Sequence, residues 1–158
     1  MLSRENTYFE DLYKISNQYR EKCNELKEKH SHAVDEFGWG SKEVAACCEE
    51  QKALINPVSA GMCKAYQAWS RSVEDGVDEL EMREFLWERE VSDFVQTLKN
   101  AKVQTFVYTN QSTAVMENLH ELVEAGCKME GLCTIKKTKY RFGRNEEEQI
   151  PGVRFSIQ

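Results

Sequence analysis

Two short stretches carry the side chains best suited to chemistry. The first is Thr109-Asn110-Gln111-Ser112-Thr113, which joins an alternating apolar run to a helical one. Its hydroxyls and amides, beside the free N–H groups of a helix start, suit an anion such as a phosphate or carboxylate. The plainer reading is a turn in which Asn110 or Ser112 caps the helix. No glycine lies within it, so there is no phosphate loop and no dinucleotide fingerprint. The second stretch holds Lys136, Lys137, Lys139, Arg141 and Arg144, with Tyr140 and Phe142 alternating on one face. Cations meet phosphates and rings stack on bases, so it suits nucleic acid. The plainer reading is a hairpin whose lysines discourage edge-to-edge pairing.

The other reactive residues do not converge. The six cysteines, at 23, 47, 48, 63, 127 and 133, include no C-x-x-C pair. Cys47 and Cys48 diverge by about 100° on a helix, and Cys127 and Cys133 stand roughly 20 Å apart along one strand. His30 and His32, two apart on a helix, point away from each other. His120 flanks an apolar stripe as a structural histidine, and the acids at 49–50, 79–84 and 146–148 read as solvated charge. No catalytic set is legible, since such sets are recognised by geometry. No metal and no cofactor is expected, and the reading is non-enzymatic.

These residues need elements to position them. Glu5–Phe37 reads as one helix, with Leu12, Tyr19, Leu26 and Ala33 in one seven-residue row. Phe9, Ser16, Cys23, His30 and Phe37 form the second row of the same stripe. At about 1.5 Å per residue it reaches roughly 50 Å, long for a small domain. Gly38-Trp39-Gly40 ends it. Further helices are expected over Lys42–Leu54 with Ser41 as cap, Pro57–Val73, a short segment from Asp78, and Glu88–Asn100.

The period then changes from 3.6 to 2. Val103–Thr109 is expected as a strand covered on both faces, with Phe106 and Tyr108 against one layer and Val103 and Val107 against the other. A helix over Ser112–Ala125 stops at Gly126, and Cys127–Ile135 returns as a parallel strand of a right-handed βαβ unit. A charged loop over 143–149 leads to an antiparallel strand, Val153–Ile157. The fold class is α+β in one domain: a mainly helical part, residues 1–100, packed on a small βαββ mixed sheet, residues 101–158.

Size and charge bound the partners. One compact domain is the default for 158 residues. No apolar run approaches the ~20 residues of a membrane span, so no membrane is expected. The first eleven residues hold three acids and no apolar run, which argues against a signal peptide. A cytoplasmic address with reduced thiols follows. Residues 1–100 hold 13 Lys+Arg against 20 Asp+Glu, and residues 101–158 hold 8 against 7. Within the tail, residues 128–144 carry six bases and one acid, Glu130. An acidic body confines any nucleic-acid contact to that ribbon.

The runs NPVSAGMCKAY (56–66), FLWEREVSDFVQTL (85–98), FVYTNQSTAVMENLHELVEAGC (106–127), MEGLCTI (129–135) and PGVRF (151–155) resemble a family of small uncharacterised proteins. Those are encoded mostly on conjugative and other mobile elements of gut bacteria of the Firmicutes type. The resemblance implies a bacterial, cytoplasmic accessory protein and brings no catalytic residue. The leading expectation is an interaction module that meets a protein partner, or itself, through the N-terminal helix. Nucleic-acid binding through the ribbon, and a small anion-ligand-binding domain or enzyme at 109–113, are the alternatives.

Overall fold

The structure, a computed structural model, describes residues 2–158. The elements in chain order are α1 (Thr7–Phe37), α2 (Lys42–Ala53), α3 (Ala60–Glu74), β1 (Leu80–Met82), α4 (Glu88–Asn100), β2 (Thr105–Tyr108), α5 (Val115–Glu124), β3 (Cys127–Arg141) and β4 (Arg144–Ile157). The class is α+β, with a long first helix and a four-stranded mixed sheet. The chain up to Glu10, together with Ser59–Gln158, forms one compact unit, and Asp11–Val58 forms another.

In the larger unit the strand order is β1-β2-β4-β3. β1 runs parallel to β2, and β4 lies antiparallel to both of its neighbours. The C-terminal strand is therefore antiparallel, as its alternation implied. Cys127–Ile135 does run in the same direction as β2, but β4 lies between them, so the expected adjacent pair is corrected. Phe155 explains the insertion: it sits opposite Phe106 and stacks on it at 5.3 Å between ring centroids. The neighbouring parallel pair is β1 and β2, joined through α4. β1 falls where a short helix from Asp78 was expected. Leu80, Glu81 and Met82 are all buried, and the Glu81 N–H donates to Ser72 Oγ of α3 at 2.9 Å.

Helices cover one face of this sheet. Phe94 of α4 meets Phe106 edge-on, and Tyr108 donates its hydroxyl to Asn118 of α5. α4 and α5 thus share the face of Phe106 and Tyr108. The opposite face, at Val107, is covered by the sheet's own hairpin, where Ile135 packs with Val77 and Val107 and Cys133 lies against them. Gly152 lets β4 pass this closely. A Cβ there would stand 2.7 Å from Val107 Cγ1 and 2.8 Å from the Tyr108 carbonyl oxygen.

The hairpin is also longer than the charged loop allowed. Residues 144–149 are strand, and the turn is only Phe142-Gly143, with φ of 49° and 75°. Two consecutive positive φ values suit a tight two-residue turn whose twist matches the strands. Glu146, Glu147 and Glu148 then face Lys139, Thr138 and Lys137.

Helix starts shift for local reasons. Asn6 caps α1, its Oδ1 accepting from the Phe9 N–H, and Ser59 caps α3, which starts at Ala60 and not at Pro57. α5 begins at Val115 with no side-chain cap, Asn110 being bound to the Arg83 carbonyl and the Ser112 N–H. Gly61 brings α3 and α4 together, since a Cβ there would lie 2.3 Å from the Glu90 carbonyl oxygen.

In the smaller unit, α1 turns at Gly38 (φ 83°) and α2 folds back along it. Ser41 caps α2 as expected. Ala33, Val44 and Cys47 are buried, with Val34 and Cys48 packed against them. Lys29 pairs with Glu50 at 2.8 Å, and Gln51 donates to the Leu26 carbonyl.

Candidate functional site

The sheet gathers charge at the carboxyl ends of β1 and β2, under the hairpin. Residue alternation turns Glu81 and Val107 toward the hairpin side. Thr109, just past β2, presents its hydroxyl there and donates it to Glu81 Oε1 at 2.8 Å. Lys137, from the inner face of β3, binds Glu81 Oε2 directly and Asp75 Oδ2 at 3.3 Å. Arg83 closes the set, reaching Asp75 at 2.7 Å and Glu81 at 3.3 Å. Glu81 and Lys137 are 3% and 6% exposed. They border a cleft of about 270 Å³ that Thr138, Lys139 and Ile150 also line.

Burial alone pushes the Glu81 carboxyl up. The hydrogen bonds from Lys137 and Thr109 and the charges of Lys137 and Arg83 outweigh it, so Glu81 titrates below the usual carboxylate range. Both its oxygens are occupied, which leaves it a poor general base. The cleft is a charged clasp between hairpin and sheet. Among the described residues no group of three or more His, Cys, Asp or Glu is placed to hold a metal ion.

Of the turn residues, the structure brings only Thr109 into this cleft. Asn110 is spent on the chain itself: its amide donates to the Arg83 carbonyl and its oxygen accepts from the Ser112 N–H. Gln111, Ser112 and Thr113 are exposed. Thr109 and Lys137 meet through Glu81. Asp75, Glu81 and Arg83 were missed. The one cue in the sequence is Glu81 between two large apolar residues, Leu80 and Met82, a pattern that a solvent-facing acid on a strand shares.

The basic ribbon is divided by its strand alternation. Lys137 faces inward and is buried, which removes it from any contact with phosphates. Lys139 binds Glu148 across the hairpin. Lys136, Arg141 and Arg144 stay exposed beside Tyr140 and Phe142, which are 75% and 101% exposed. Glu146 and Glu147 share the tip, so three free bases face two acids, a net of +1.

A third surface lies on α1. Between residues 13 and 32 no side chain is buried. Ser16, Tyr19, Cys23, Leu26 and His30, from both rows of the stripe, are half-buried, and Tyr13 and Ile15 are 49% and 41% exposed. Arg20, Lys22 and Lys27 are exposed along it.

With these surfaces defined, the chain can be set beside known proteins. Residues 64–157 match the model of a family described as Domain of unknown function (DUF7698). The chain belongs to this family. The matched residues fall in the unit that holds the sheet and the charged cleft, while residues 11–58 lie outside the match. No curated protein and no solved structure matches the chain. No helix among the described residues is long and apolar enough to cross a membrane.

Proposed function

We propose that this member of the DUF7698 family is a non-enzymatic, cytoplasmic accessory protein of a bacterial mobile element, acting by binding another protein through α1. One observation carries the reading. α1 extends for 31 residues, yet nothing between residues 13 and 32 is buried. A helix in water gains most of its stability by burying an apolar stripe, so a stripe left half-covered over five turns is the natural seat for another chain. The charged groups favour the same conclusion. The acids and bases of the cleft neutralise one another instead of standing ready for proton transfer.

The test is affinity capture from the bacterial host with the full chain and with an Ile15→Glu/Tyr19→Glu variant. A partner held by the first and lost by the second, at unchanged melting temperature, supports the reading. A partner held equally by both places the interaction elsewhere.

The exposed rings of Tyr140 and Phe142 beside Lys136, Arg141 and Arg144 favour a second reading, nucleic-acid binding at the hairpin tip. Lys139 serves it less, being paired, and a net of +1 is a small attraction for a phosphate backbone. Fluorescence anisotropy with labelled DNA and RNA checks it. Salt-sensitive binding lost in Lys136→Glu/Arg141→Glu moves the function to the hairpin.

A further inference from the structure

We infer that the partner presents an acidic amphipathic helix to residues 13–25 of α1. The inference rests on α1 being the docking element. Its basis is how charge is distributed around the stripe. Phe9, Ser16, Cys23, His30 and Phe37 alternate with Leu12, Tyr19, Leu26 and Ala33 at steps of three and four, the spacing of a helix–helix seam. In that pattern Arg20 and Lys27 border the seam on one side, and Lys22 and Lys29 on the other. Every charge bordering the seam between residues 20 and 29 is positive. The acids of the same stretch, Glu21, Glu25 and Glu28, lie on the far side of the helix.

The chain already shows what such a border accepts. α2 bears Glu43, Glu49 and Glu50 against Lys42 and Lys52, with Glu49 paired to Lys52 on the same helix, and covers the C-terminal part of the seam through Ala33, Val44 and Cys47. Lys29 takes Glu50 there. α2 has 12 residues, about 18 Å, and reaches back only as far as Leu26 through Gln51. Tyr19 and Cys23, with Arg20 and Lys22, lie beyond its end, and Lys27 sits just inside it. Those three cations have no ion partner among the described residues.

A second copy of α1 is a poor occupant. Paired parallel, it sets Lys22 against Lys27. Paired antiparallel, it sets Arg20 and Lys27 against one another, and likewise Lys22 and Lys29. Like charges facing across a seam oppose association in either direction. An acid-bordered helix meets the same cations with attraction and lays its own apolar stripe on Tyr19 and Cys23.

The probe is a pair of labelled amphipathic helical peptides with identical leucine seams, one bordered by Glu and one by Lys. Anisotropy is read with the full chain at low and high salt, alongside sedimentation of the chain alone. The acidic peptide is expected to bind at least tenfold more tightly than the basic one. Its affinity should fall with salt and drop about tenfold or more in Arg20→Glu/Lys22→Glu/Lys27→Glu, at unchanged melting temperature. Equal binding of both peptides, or a stable dimer of the chain alone that Tyr19→Glu dissolves, overturns the acidic partner but keeps α1 as the docking element. No binding of either peptide by a monomeric chain overturns the inference, and with it the helix as docking element if host capture is also unaffected by Ile15→Glu/Tyr19→Glu.

Discussion

Replacing Lys137 by methionine tests the clasp and separates it from a phosphate contact. Methionine keeps an unbranched stem and removes the ammonium, leaving Glu81 ionised and 3% exposed. Breaking a buried ion pair from one side costs about 3–5 kcal/mol. Glu81 keeps the Thr109 hydroxyl at 2.8 Å and Arg83 at 3.3 Å, which argues for the lower end, about 3 kcal/mol. At about 2–4 °C per kcal/mol for a chain of this size, the melting temperature should fall by roughly 6–12 °C. Urea unfolding followed by circular dichroism reads the free energy. Glu81→Leu/Lys137→Met should recover at least half of the loss, because no charge is then stranded. The pH dependence has a definite sign. The folded pKa of Glu81 is lowered, so its contribution is present above the unfolded value of about 4.3 and is lost as pH falls through the folded one. In Lys137→Met the stranded carboxylate takes up a proton more readily, so the penalty should shrink between neutral pH and pH about 4. A cost under about 1 kcal/mol, as for exposed pairs, and indifferent to pH, would refute the reasoning.

Other outcomes follow from single contacts. Gly61→Ala puts a Cβ 2.3 Å from the Glu90 carbonyl oxygen and 2.9 Å from Asp93 Cβ, so α3 and α4 must separate, at about 3 kcal/mol by urea unfolding. Asn118→Leu strands the Leu86 N–H and carbonyl and the Tyr108 hydroxyl. A loss of about 3 kcal/mol and faster proteolysis between β1 and α4 are expected. Gly143→Val strains a turn residue at φ 75°. It should cost about 1 kcal/mol and speed amide exchange at the hairpin tip, while leaving exchange in β2 unchanged.

Long periodic segments were the legible part of this fold. The seven-residue rows of α1, the amphipathic faces of α4 and α5, and the alternation of Val153, Phe155 and Ile157 each repeat often enough to name their element. Ser41 and Gly38 marked their caps correctly. β1 was not legible, because three residues buried on every side show no period and Asp78 and Glu81 imitate a helix cap. Strand order was not legible either. Whether β3 or β4 lies beside β2 depends on Phe155 stacking on Phe106, a contact between residues far apart in the chain. The clasp shares this difficulty. Thr109 and Lys137 stood out by type, but Asp75, Glu81 and Arg83 look like ordinary surface charge until the hairpin folds over the sheet. Lys137 stood out for the wrong chemistry, since only the register with Glu148 shows which face of the hairpin it occupies.

The most direct test of α1 as the docking element is site-specific photo-crosslinking in the living bacterium. A benzophenone side chain would replace Ile15 or Lys22, with Phe142 at the hairpin tip for comparison. Discrete adducts to one protein from positions 15 and 22, absent from 142 and lost with Tyr19→Glu, are the expected result. Adducts from Phe142 alone, to protein or to nucleic acid, would contradict the account and give the function to the hairpin.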